Sequence, residues 1–278
     1  MGNGILKIAG VQMDILIGEL DKNLAAMESR VHEITEAGAW MTVFPECTTT
    51  GYCFDSLEQA REFAEPSDGP GFQRVHDLCA QLNTRIVYGY LEIEDDKVFN
   101  SLSLVTPDGL LGSYRKVHLP TLGVDRFTTP GDRFQVFDLP EVRIGMCICY
   151  DSSFPEAARV LSLDGADLIV LPTNWPPTSG LTADVIPAAR ALENHVYFMA
   201  INRIGNERGF EFVGKSRICD PSGTVLDIAD HDQAAILYAE IDPDFARAKH
   251  RVNIRGAHEV HRIDDRAPGT YKRIVEEQ

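Results

Sequence analysis

The sequence predicts a layered α/β fold, on three observations. Short apolar runs of strand character alternate along the chain with segments whose apolar residues recur every three or four positions. Hairpin turns, Pro107-Asp108-Gly109 and Pro221-Ser222-Gly223, are mixed into that alternation, which favours layered mixed sheets over a barrel or a bundle. No repeat or low-complexity linker divides the 278 residues, so residues 1–278 read as one domain.

The elements follow in order. Leu6 to Val11 reads as a strand, and Leu20, Leu24, Met27, Val31 and Ile34 share one helix face, with Asp21 placed to cap it and Gly38 to stop it. Trp40 to Phe44 is a short buried strand ending at Pro45. A second helix runs from Gly69-Pro70-Gly71 to about Leu82, with Phe72, Val75, Leu78 and Leu82 on one side. Arg85 to Leu91, Val98 to Val105 and Leu110 to Tyr114 read as neighbours in one sheet. Val142 to Cys149 is small and apolar, as expected of a strand covered on both faces. Ser153 is then placed to cap a helix that carries Pro155 and Glu156 in its first turn and stops near Gly165. A strand at Leu168 to Leu171, a helix at Thr182 to Asn194 and a strand at Tyr197 to Asn202 come next. Phe210 to Ile218, Val225 to Ala229 and Ala235 to Ile241 complete the strands.

Composition narrows the function. Apolar residues at 44% and charged residues at 24% belong to a chain that buries a core. A net charge of −16 repels phosphate backbones and anionic lipid, so neither nucleic acid nor a membrane is an expected partner. A small anionic substrate stays open, because a local Arg or Lys can outweigh a distant field. The six cysteines form no disulfide ladder and no zinc-ligand spacing, so reduced thiols and no metal are expected. The start MGNGILKIAGVQ lacks the pattern of a signal peptide, and no apolar run has bilayer length, so a cytoplasmic location is expected.

Three residues stand where strands end. Cys149 lies between a buried strand and a helix start, where main-chain NH groups and the helix dipole would lower a thiol pKa and hold an oxyanion. Packing as a small hydrophobe, with Cys147, is the alternative. Glu46 follows the strand through Pro45, where partial burial would raise its pKa and make it a base; an exposed loop glutamate is the alternative. Lys116 stands near another strand end and would stabilise thiolate and oxyanion if it pointed into a pocket, rather than lying solvated on an edge strand. None of the eight histidines sits in a recognisable thiol-protease setting; His118 comes nearest. The three signals point to one rim of a sheet.

Together these segments resemble the carbon-nitrogen hydrolase superfamily. The match rests on Val43-Phe44-Pro45-Glu46 with Thr50-Gly51-Tyr52, Tyr114-Arg115-Lys116-Val117-His118-Leu119, and Gly145-Met146-Cys147-Ile148-Cys149-Tyr150-Asp151 with Phe154-Pro155-Glu156, in the family's order. Further landmarks are Asn174-Trp175, Arg190 to Asn194, Asn202-Arg203 and Asp220-Pro221 with Gly223. The resemblance implies a four-layer α-β-β-α sandwich and a catalytic triad of Glu46, Lys116 and Cys149, the nucleophile being the cysteine before Tyr150-Asp151. Cys147 is then a packing residue, while Asp151 and Glu156 order the turn and helix. Tyr52, Asn174 and Trp175 are expected at the substrate pocket, and the Tyr150 main-chain NH at the oxyanion. Many members carry a second glutamate after the lysine. Here the nearest acid is Asp125, which either takes that supporting role, pairs with Arg126 or caps a turn.

The resemblance implies no cofactor, a small amide or N-carbamoyl amine as substrate, and release of ammonia through a cysteine thioester. Nitrile hydrolysis is disfavoured, because true nitrilases usually carry Trp-Glu where this chain has Tyr150-Asp151. Arg190 or Arg203 either binds a substrate carboxylate or completes a structural ion pair. A homo-oligomer is expected, with residues 249–278 as an extension that could reach across its interface. A catalytically silent scaffold of the same fold is the reading from another class.

Overall fold

The computed structural model describes residues 4–276; Met1 to Asn3 and, from the C-terminal extension, Glu277 and Gln278 lie outside the described residues. The first half of the chain lays down β1 (Leu6–Gln12), α1 (Leu20–Glu36), β2 (Met41–Val43), α2 (Leu57–Arg61), α3 (Pro70–Leu82), β3 (Arg85–Glu94), β4 (Lys97–Thr106) and β5 (Gly109–Arg115). The second half gives β6 (Val136–Asp138), β7 (Arg143–Met146), α4 (Pro155–Leu163), β8 (Leu168–Thr173), α5 (Gly180–Asn194) and β9 (Tyr197–Asn202). It continues with β10 (Asn206–Glu207), β11 (Phe210–Glu211), β12 (Ser216–Cys219), β13 (Val225–Ala229) and β14 (Ala235–Ile241). Then come α6 (Pro243–Arg247) and a hairpin of β15 (His250–Ile254) and β16 (His258–His261).

Two six-stranded sheets result, in the orders β14-β1-β2-β3-β4-β5 and β13-β12-β9-β8-β7-β6. Each has a parallel centre, β1-β2-β3 in one and β7-β8-β9 in the other, with antiparallel strands on both sides. Period-two alternation splits β1 between two cores. Ala9 and Val11 pack under α1 and α3 against Leu24, Met27, Val31, Val75 and Leu78. Leu6 and Ile8 face the other way, into a core shared with Met146, Val170, Met199 and Ile201 of the second sheet. The sheets approach so closely at Gly10 that a Cβ there would lie 2.1 Å from Ile201 Cδ1. Ala158, Leu161, Ala183 and Ala191 bring α4 and α5 onto the far side. The layers are helix, sheet, sheet, helix, the sandwich that the resemblance implies. Among the described residues no helix is long and apolar enough to cross a membrane.

Several local expectations need correction. Asp21 does not cap α1: the helix starts at Leu20 with Glu19 at the cap, and Asp21 in the first turn pairs with Arg74 at 3.0 Å. Ser153 does not cap α4 either, because it closes a short 3-10 turn, Cys149–Ser153, and Phe154 stands at the cap without a side-chain bond. The run Phe210 to Ile218 breaks into β11 and β12 at Gly214 and Lys215, which both take positive φ. The five-residue α2, capped by Ser56, and the exposed β15–β16 hairpin carry too little apolar periodicity to be read in advance.

Candidate active site

Glu46 follows β2, Lys116 follows β5, and Cys149 follows β7. The first two belong to one sheet and the third to the other, so the group spans the carboxyl ends of both sheets rather than one rim. All three are withdrawn from solvent: Glu46 and Lys116 are fully buried and Cys149 is 5% exposed. The exposed-loop and edge-strand alternatives for Glu46 and Lys116 are thereby removed.

Lys116 Nζ donates to Glu46 Oε1 at 2.7 Å and to Asp125 Oδ2 at 2.5 Å. Asn100, from the middle of β4, donates to the same two carboxylates, at 2.7 Å to Glu46 Oε1 and 2.8 Å to Asp125 Oδ1. Asp125 therefore reaches Lys116 rather than Arg126, whose guanidinium bonds the carbonyls of Gly123 and Phe54. Tyr52 is buried behind the cluster, and its hydroxyl donates to Asp125 Oδ2 at 2.7 Å and to the Leu122 carbonyl at 3.1 Å. One ammonium thus faces two carboxylates in a dry site, with every partner fixed except Glu46 Oε2, which is buried and unpartnered. Asn100 is the residue that sequence reasoning passes over. Its one signal is an amide inside an apolar strand, where asparagine is disfavoured.

Cys149 sits at φ +43°, a left-handed conformation that is uncommon for a residue with a side chain. Asp151 holds the turn in place. Its Oδ2 accepts from the Ile148 NH at 2.9 Å and the Tyr114 hydroxyl at 2.6 Å, and its Oδ1 from the His118 NH at 3.0 Å. The His118 Nδ1 lies 2.8 Å from Oδ1, and its ring stacks on Phe154 at 3.8 Å. Cys147 packs in the core between the layers, with its thiol directed at the Val170 carbonyl.

The electrostatics reverse one expectation. Burial, and after it the negative charge of Glu46, push the Cys149 thiol well above the ordinary thiol range. Lys116 and a hydrogen bond from the Asn174 main chain oppose that shift and lose. The predicted lowering by a helix start fails because the cysteine begins only a five-residue 3-10 turn and its thiol is buried. Burial also raises the Glu46 carboxyl, against the pull of Lys116. For Lys116 burial works against the charge, but Asp125 and Glu46 outweigh it and hold the ammonium well above its ordinary value. The resting arrangement is a protonated thiol beside a carboxylate of raised basicity and a permanent cation.

Cys149 opens onto a cavity of about 560 Å³ lined by Pro120, Leu122, Tyr150, Trp175, Pro176 and Phe210, among others. Trp175 and Tyr150 therefore border it, whereas Tyr52 stands in the row behind, bonded to Asp125. Asn174 is fully buried, and both polar atoms of its side-chain amide are unpartnered. Asn202 fixes the loop that carries it, accepting from Thr173 Oγ1 and from the Trp175 NH, each at 2.8 Å. Neither arginine reaches the cavity lining. Arg190 bonds the Ser152 carbonyl and Glu193, while Arg203 is fully buried against Glu207, Asp14 and the Ile15 carbonyl. Glu207 in turn accepts from the NH groups of Tyr52 and Cys53, at 2.9 and 2.8 Å, anchoring the loop that backs Asp125.

A four-layer sandwich of this kind is the fold of hydrolases that act on C-N bonds. Within that class the chain belongs to the carbon-nitrogen hydrolase family, whose sequence model matches residues 7–251. It is 39% identical over 254 residues to a protein named nitrilase from Pyrococcus abyssi, covering 90% of this chain and 94% of that one. It is 32% identical over 280 residues to the N-carbamoylputrescine amidase of Arabidopsis thaliana, covering 92% and 91%. Among solved structures, Saccharomyces cerevisiae Nit3, a member of branch 10 of the nitrilase superfamily, superposes with a TM-score of 0.79 at 26% identity, over 88% of this chain and 92% of that one.

Proposed function

We propose that this protein hydrolyses a small linear amide, with Cys149 as nucleophile, Glu46 as general base and acid, and Lys116 with the Tyr150 main-chain NH holding the oxyanion. The observation that carries the reading is the state of Glu46. One of its oxygens is tied to Lys116 and Asn100, the other is buried and free, and its charge is the strongest electrostatic influence on the Cys149 thiol. A protonated thiol needs such an acceptor.

Glu46 Oε2 takes the thiol proton as sulfur attacks the amide carbon, and the carbonyl oxygen becomes the oxyanion. The intermediate collapses as Glu46 returns that proton to nitrogen, so ammonia leaves and a thioester stays on Cys149. Glu46 then takes a proton from water, the resulting hydroxide attacks the thioester, and the acid departs as sulfur regains its proton. Asp125 keeps Lys116 charged and, with Asn100, fixes Glu46; Tyr52 fixes Asp125.

Ammonia release from a panel of linear amides, N-carbamoyl amines and nitriles, by wild type and Cys149→Ala, tests the reading. Amides turned over by wild type alone support it. Turnover confined to N-carbamoyl amines moves the substrate class, and turnover confined to nitriles sinks the amide assignment. If Cys149 in folded protein fails to react with a thiol-reactive amide, the silent scaffold takes its place. Pairing of copies belongs to the same proposal: Leu181, Val185 and Leu192 on α5 and Val160 and Leu163 on α4 are exposed apolar side chains that a second copy would cover.

The pH profile follows from the directions above. Because the Glu46 carboxyl is raised, kcat/KM falls on acidification at a pH above 4.5, the ordinary glutamate value, as the proton acceptor is lost. Lys116 and Cys149, both held well above their ordinary values, add no alkaline limb at neutral pH. A profile flat down to the ordinary glutamate range would remove Glu46 as the base. A second test lies in β3, where a Cβ at Gly89 would come 2.3 Å from Cys47 N and 2.8 Å from Glu46 Cα. Backbone rather than a flexible side chain must yield. Gly89→Ala is therefore expected to cost about 1–3 kcal/mol in urea denaturation and to cut turnover about a hundredfold by displacing Glu46.

A further inference from the structure

We infer that the substrate carries an ammonium group at the end of a short apolar chain, and that Glu211 selects for it. This rests on the amidase reading and names its substrate class. The walls of the Cys149 cavity are apolar at Leu122, Trp175, Pro176 and Phe210, and hydroxyl-bearing at Ser153 and Thr182. Among the described residues that line it, Glu211 of β11 is the only charged one. Its carboxylate forms no ion pair among the described residues, and the cations nearest in sequence are committed elsewhere. Arg203 is held by Glu207 and Asp14, Arg208 by Asp55 at 2.6 Å, and Lys215 by Asp184 at 2.8 Å. Arg126, in a neighbouring cavity behind Leu122 and Phe210, bonds main-chain carbonyls.

A substrate carboxylate would find no cation in this cavity and would meet Glu211 and the field of a chain of net charge −16. An ammonium would find a counter-charge in the exposed Glu211 carboxylate at the edge of the apolar walls, a pairing that water screens and whose worth is accordingly modest. A neutral chain would leave Glu211 solvated and gain only apolar contact. The expected order is cationic, then neutral, then anionic, with about tenfold in kcat/KM between the ends.

The test compares δ-aminovaleramide, its uncharged isostere hexanamide, the acidic counterpart adipamate, and the N-carbamoyl diamine of matching length. Wild type is expected to favour the ammonium compounds, and the two of them distinguish an acyl chain from a carbamoylated amine as the source of the charge. Glu211→Gln lowers the ratio of cationic to anionic kcat/KM, and Glu211→Lys inverts it. Binding of the same compounds to Cys149→Ala, measured by calorimetry, is expected to follow the same order without turnover. Hexanamide or adipamate turned over in preference, or a ratio unmoved in Glu211→Lys, overturns the inference and leaves the amidase reading standing. Turnover of none of them overturns both.

Discussion

Cys149→Ala is expected to lower ammonia release by about 10⁴-fold or more, because without the sulfur the acyl group has no covalent carrier and water must attack the amide directly. KM for the remaining activity should change little, since the cavity walls at Trp175, Pro176 and Phe210 are untouched. The contrast with Cys147→Ala makes the result specific. That thiol lies two residues away, equally buried and directed at the Val170 carbonyl, so its loss is a packing change. About 1 kcal/mol of stability is expected to go, with turnover kept within about threefold. Equal losses in the two variants would mean that the turn, rather than the Cys149 sulfur, is what matters.

The second large effect belongs to Lys116. Removing it in Lys116→Ala leaves Glu46 and Asp125 facing each other in a buried site, stripped of the ammonium that bonds both. Loss of one partner from such a buried group costs about 3–5 kcal/mol at about pH 7, together with the oxyanion's cation. The sign with pH is diagnostic. The Glu46 carboxyl, already raised by burial, loses the cation that opposes that shift, so the penalty is full above its raised pKa and shrinks as acid supplies a proton. Chemical denaturation of wild type and Lys116→Ala across that range checks it. A stability difference independent of pH would indicate lost packing instead. Lys116→Ala with Glu46→Gln and Asp125→Asn should recover much of the stability and none of the turnover.

The sequence exposed the scaffold where turns and periodicity were both clear. Tyr197–Asn202, Val225–Ala229 and Ala235–Ile241 are strands with the bounds that their apolar runs predict, because glycine, proline or polar residues delimit each one. Glu46, Lys116 and Cys149 were legible as a group only through the order of their motifs. Taken singly, each was as well explained by a loop, an edge strand or a packed core. What stayed hidden was non-local. Asn100 lies in the middle of β4, and nothing around Phe99 and Ser101 reveals that the loop after β5 returns to bring Asp125 within 2.8 Å of it. Arg190 and Arg203 looked equally fit for a substrate or an ion pair. Each has one ion-pair partner close in sequence, Glu193 for Arg190 and Glu207 for Arg203, but their further contacts with Ser152 and Asp14 lie 38 and 189 positions away. The thiol was misjudged for the same reason, since desolvation is the sum of everything packed around Cys149, while a helix start is visible locally.

The central claim is that the acyl group of the substrate passes through Cys149. The measurement that meets it most directly is intact-protein and peptide mass spectrometry of wild type quenched in acid during steady turnover of an accepted amide. The account predicts a mass increase equal to the acyl group, confined to the peptide that contains Cys149, lost on treatment with hydroxylamine and absent from Cys149→Ala. Sustained ammonia release with no adduct on that peptide, or the same release from Cys149→Ala, would contradict it.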